Sequence, residues 1–93
     1  MHKTLDLTNI TTELDFHNYV SDQLEFPYYY GKNWDAFWDC ITDEVLSYDE
    51  YTLEINIEST KAVYYNDLLY FLDKLKNYYP PFNYFIMYTK PLI

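Results

Sequence analysis

The spacing of apolar positions switches between a period of two and a period of about 3.6 along this chain, and each switch marks an element. Lys3-Thr4-Leu5-Asp6-Leu7 alternates and predicts a short strand over residues 3–7. Thr11 or Thr12 then supplies an N-cap. Phe16, Tyr19, Val20 and Leu24 recur at helical spacing, so residues 12–25 read as an amphipathic helix. Phe26-Pro27 ends it, because proline disfavours the helical conformation of the residue before it. Gly31 permits a sharp turn, and Asn33 caps a second helix. At roughly 100° per residue, Trp34, Phe37, Ile41 and Val45 fall on one side of that helix and are assigned to the core. Asp35, Asp39 and Asp43 line up on a different side, with Trp38 on the border.

Tyr51-Thr52-Leu53-Glu54-Ile55-Asn56-Ile57 alternates strictly and predicts a second strand. Leu68, Phe71, Leu72 and Leu75 mark a third helix over roughly residues 62–78, closed by Pro80-Pro81. Tyr84-Phe85-Ile86-Met87-Tyr88 is a continuous apolar run, which predicts a buried strand of a parallel sheet. The order β-α-α-β-α-β predicts one small α/β domain over residues 1–93, a three-stranded parallel sheet with helices packed on it.

Composition sharpens this picture. Of 93 residues, 49% are apolar and 23% aromatic, far from a disordered composition. One Gly and four Pro leave little room for a linker or a second domain. Fifteen acidic residues against six basic ones give a net charge of −9. Nucleic-acid affinity comes largely from neutralising phosphates, so direct RNA or DNA binding is disfavoured, as is binding to an anionic membrane. A basic partner is favoured, although acidity alone also serves solubility. The single Cys40 excludes an intramolecular disulfide. No apolar h-region follows Met1, and no apolar run approaches the ~18 residues of a membrane span. A cytoplasmic, reducing location is expected.

The chemistry concentrates in residues 28–40. An aromatic loop, Tyr28-Tyr29-Tyr30-Gly31, stands before a helix carrying Asp35 and Asp39 one turn apart, with Trp38 between them. Such a surface imitates two adjacent phosphates beside a stacking platform. It suits occupation of another protein's cationic cleft. The same carboxylates also fit an ordinary solvated helix face, and Trp38 fits either the core or an interface. Carboxylates at this spacing lie roughly 6 Å apart at Cβ. An exposed convex helix offers no cleft to raise one pKa, which argues against acid–base catalysis. Cys40 has no His nearby in sequence and reads as a structural thiol. His17 falls on the helix side away from the apolar stripe, His2 is terminal, and no ligand spacing joins them to Cys40. No metal, cofactor or enzymatic activity is expected. Tyr64 and Tyr65 read as packing residues or part of a second contact.

Residues 26–41, Phe-Pro-Tyr-Tyr-Tyr-Gly-Lys-Asn-Trp-Asp-Ala-Phe-Trp-Asp-Cys-Ile, resemble the barstar family of ribonuclease inhibitors. The family pattern is an apolar residue and Pro, paired Tyr, Gly, Asn, then Asp-Ala-aromatic/Leu-Trp-Asp-Cys. The resemblance implies a three-stranded parallel sheet with helices on it. It implies a cytoplasmic inhibitor that plugs the active site of a secreted bacterial ribonuclease, one-to-one and as a free monomer. By position, Tyr29 is then the loop aromatic, turned outward while Tyr30 turns inward. Asp35 and Asp39 are the acidic anchors and Trp38 the flanking aromatic, with Asp39 in place of the scissile phosphate. The chain departs from the pattern at Asp43-Glu44, where a family member carries Gly and Trp. A further acidic contact of the family falls near Asp73 or Lys74. Asp43 extends the acidic strip and joins the expected partner-binding set. Two alternatives stand beside this reading: an immunity protein against a different basic nuclease toxin, and an acidic interaction adaptor without a nuclease target.

Overall fold

The computed structural model describes residues 1–89. They form β1 (His2–Asp6), α1 (Glu13–Gln23), α2 (Trp34–Leu46), β2 (Tyr51–Ile57), α3 (Tyr65–Tyr78) and β3 (Phe82–Tyr88). The strands make one parallel sheet in the order β1-β2-β3. Leu5 stands opposite Ile55, and Ile55 opposite Ile86. The predicted α/β class and element order are the observed ones.

Strand order follows chain order, and parallel crossovers share one hand in nearly all proteins. Two successive steps in the same direction therefore lay the helices on one face of the sheet. Alternation along β2 records this: Tyr51, Leu53, Ile55 and Ile57 are buried, while Thr52, Glu54 and Asn56 are only half-buried. The continuous apolar run at 84–88 predicted burial on both faces, and here the expectation fails. β3 is an edge strand that begins at Phe82, and its alternate residues Phe85 and Met87 lie on the uncovered face, each 58% exposed.

Element ends are set locally. β1 begins at His2, before the predicted residue 3, and Leu7 extends its ladder through an N–H bond to Asn56 O at 2.7 Å. Thr12 caps α1, its hydroxyl accepting from Asp15 N–H at 3.1 Å. Leu24 and Glu25 leave that helix, Glu25 with φ 54°. α3 begins at Tyr65 rather than 62, without a side-chain cap. Tyr64 is core: its hydroxyl donates to Ile10 O at 2.7 Å, and its ring stacks on Phe16 at 4.8 Å.

Phe16 centres an aromatic cluster that joins α1, α2 and the segment before α2. Its ring lies 5.2 Å from Trp34 and 5.7 Å from Phe37. His17 belongs to this core, fully buried against Phe16, Trp34 and Tyr30. The expectation that it faced away from the apolar stripe is therefore incorrect: Tyr30 from the loop and Trp34 from α2 cover it.

Candidate functional site

The segment between α1 and α2 alternates anchors and presented rings. Phe26 and Tyr30 are buried; Tyr28 is fully exposed and Tyr29 is 73% exposed. The two outward rings meet edge to face at 5.5 Å. Tyr30 holds the turn from inside. Its N–H donates to Pro27 O at 2.9 Å, and its hydroxyl lies 2.6 Å from His17 Nδ1. Burial pushes the Tyr30 hydroxyl pKa well up, so it stays protonated. The left-handed residue in this turn is Lys32, at φ 53°, and not Gly31. Gly31 sits in a tight space: a Cβ there would stand 3.2 Å from Asn33 Nδ2, so that side chain would have to shift by a few tenths of an ångström.

Asn33 then starts α2, its Oδ1 accepting from Ala36 N–H at 2.8 Å, a cap worth ~1 kcal/mol. Phe37, Ile41 and Val45 face the core, while Asp35, Asp39 and Asp43 are exposed one turn apart. Trp34, assigned to the core, is only half-buried. Its ring stacks on Phe71 at 5.7 Å, and its indole N–H donates to Glu13 Oε1 at 2.9 Å.

Asp39 and Asp43 do not stand on a bare convex surface. With Tyr29, Glu44, Phe26 and Cys40 they line a groove of about 380 Å³. The structure thus brings Tyr29, Asp39 and Asp43 together, with Asp35 one turn further up the same stripe. Trp38 is half-buried and lies toward α3, near Phe71 at 6.2 Å and Tyr78 at 5.9 Å.

Neighbouring side chains are committed elsewhere. Glu44, half-buried, accepts the Tyr51 hydroxyl at 2.7 Å, so that carboxylate is tied to β2. Burial and then this bond push the Tyr51 hydroxyl pKa far up. Burial first, then the charges of Asp43 and Asp39, push the Cys40 thiol up. That disfavours a thiolate and fits a structural role. On α3, Asp73 accepts the Tyr84 hydroxyl and so turns to β3. Lys74 lies over the Trp38 ring at 4.5 Å. His17, Lys74 and the Glu44–Tyr51 bond were not marked as site-shaping by periodicity. Each depends on a contact between two different elements or between an element and a loop. Among the described residues no group of His, Cys, Asp and Glu could hold a metal, and no helix is long and apolar enough to cross a membrane.

The two-layer α/β domain thus carries an exposed acidic stripe flanked by aromatic rings. A family model described as "Barstar (barnase inhibitor)" matches residues 1–79. The chain belongs to the barstar family, whose members are inhibitor proteins rather than enzymes. The chain is also similar to a protein of Bacillus subtilis (strain 168) described as "Putative ribonuclease inhibitor YrdF", 58% identical over 26 residues. That match covers 28% of this chain and 29% of the relative's length.

Proposed function

We propose that this chain inhibits a basic ribonuclease by filling its cationic active-site cleft, one inhibitor to one enzyme, and so protects the cytoplasm of the producing cell. The observation that carries this reading is the grouping of Tyr29, Asp39 and Asp43 around one groove, with Asp35 on the same stripe. Family membership supports the same class of partner.

The mechanism is substitution of carboxylate for phosphate. Asp39 enters among the enzyme's cations at the position of the scissile phosphate. Asp35 neutralises a second cation one turn away, Tyr29 packs against the cleft wall, and Asp43 adds charge at the rim. Trp38 borders the contact on the α3 side. Phe37, Ile41 and Val45 hold α2 against the core, so the carboxylates are presented with little ordering required on binding. The net charge of −9 steers the free monomer toward a basic partner.

Titration of the chain into barnase, the target named in the family description, tests the reading. RNA cleavage is expected to fall linearly and end near equivalence. Undiminished cleavage with the chain in large excess contradicts it. A second reading, immunity to a different basic nuclease toxin, is favoured by Asp43, an exposed acid beside the groove. It requires protection of DNA or tRNA against that toxin with barnase unaffected.

A further inference from the structure

Lys74 puts a positive charge at the α3 edge of the acidic stripe on α2. Its ammonium lies 4.5 Å from the centroid of the Trp38 ring and 5.8 Å from that of Phe71. Trp38 directly precedes Asp39 on α2 and follows Asp35 by three positions, so this cation borders the stripe assigned to the partner. Neither Asp35 nor Asp39 forms an ion pair with it. Asp73, its neighbour on α3, is turned to the Tyr84 hydroxyl. Lys76 is committed to Pro80 O and Asn83 Oδ1, each at 2.8 Å, whereas Lys74 is exposed and, among the described residues, lies over the Trp38 and Phe71 rings. A cation–π contact at an exposed site is weak, so the ammonium is available to a partner.

We infer that Lys74 is a specificity-determining residue: its ammonium, at the α3 edge of the acidic stripe, weakens binding to basic ribonuclease clefts by like-charge repulsion. The inference rests on the inhibitor reading above. The carboxylates of α2 suit basic clefts in general. A cation beside them adds like-charge repulsion with any basic cleft that offers it no counter-charge, and such juxtaposition rejects wrong partners. Lys74 thereby sorts among targets that the acidic stripe alone would accept.

Barnase, the target named in the family description, serves as the probe. Dissociation constants are measured for the parent, Lys74→Met, Lys74→Glu and Asp39→Ala at low and moderate salt, with thermal melts of each. Met keeps an unbranched stem against Trp38 while removing the charge. The expected affinity order is Glu tightest, then Met, then the parent Lys. Lys74→Glu should bind at least tenfold tighter than the parent at low salt, with the gap narrowing as salt screens it. Equal affinities across the Lys74 series, or weaker binding by Lys74→Glu, overturn the inference. If Asp39→Ala loses affinity while the Lys74 series is flat, the inhibitor reading stands and this one fails. Absence of binding by every variant overturns both.

Discussion

The Tyr30 hydroxyl lies 2.6 Å from Nδ1 of His17 inside the core, and this pair ties the aromatic loop to α1. Nε2 of the same ring is buried without a partner. A neutral imidazole satisfies the arrangement with one bond. Tyr30→Phe leaves the ring with no bond at all, and a loss of roughly 1–3 kcal/mol in folding stability is expected. Urea denaturation measures it.

Stability should fall as pH drops below about 6.5, the ordinary His value. Burial lowers the His17 pKa in the folded chain, with Glu13 opposing it in part. The unfolded chain then binds the proton first, so the stability contributed by neutral His17 is full above the unfolded pKa. It is lost progressively as pH falls toward the lower folded value. Urea midpoints for the parent and His17→Gln over pH 5–8 test this. The parent should show the steeper decline, and the non-titrating variant should remove that part of the slope.

Tyr51→Phe should destabilise the fold while leaving Tyr29, Asp35 and Asp39 in place, freeing only Glu44 at the groove's edge. The change removes a bond from the buried Tyr51 ring to the half-buried Glu44 carboxylate. Bonds to charged groups contribute roughly 1.5–3 kcal/mol. Denaturation should register the loss, while affinity for barnase at temperatures well below the melt should stay near that of the parent.

Association with a basic ribonuclease should be fast at low salt and slow markedly as salt rises. A chain of net charge −9 attracts a cationic cleft over a range set by the Debye length, ~10 Å at 0.1 M. Stopped-flow rates read this directly. Dissociation should respond to salt less strongly, because contacts at the centre of the interface are desolvated.

Most of the fold was legible in the chain, and the exceptions share a cause. The Asn33 cap and the 3.6 spacing of Phe37, Ile41 and Val45 located α2, and strict alternation located β2. The outward Tyr29 and inward Tyr30 follow the family pattern. β3 was misread because an apolar run does not say how many faces are covered. Coverage here follows from strand order, which leaves Phe85 and Met87 on the open face. His17 was misread because its cover, Tyr30 and Trp34, arrives from outside its own helix. Trp38 sat on the border of the wheel, and its tilt toward α3 and Lys74 depends on how α2 and α3 meet. Local pattern fixes elements and their inner faces; it does not carry contacts between elements.

The affinity of Asp39→Ala for barnase tests the central claim most directly. Asp39 is exposed in the free chain, so the variant should melt with the parent. Removing one member of a buried, hydrogen-bonded charge pair typically costs roughly 2–5 kcal/mol of binding. Asp39→Ala should lose the most affinity of any single substitution, with Asp35→Ala and Tyr29→Ala intermediate and Asp43→Ala smaller. Calorimetry alongside thermal melts gives both numbers. If Asp39→Ala binds as tightly as the parent while substitutions at Tyr64 and Tyr65 that leave the fold intact abolish binding, α2 is not the inhibitory face.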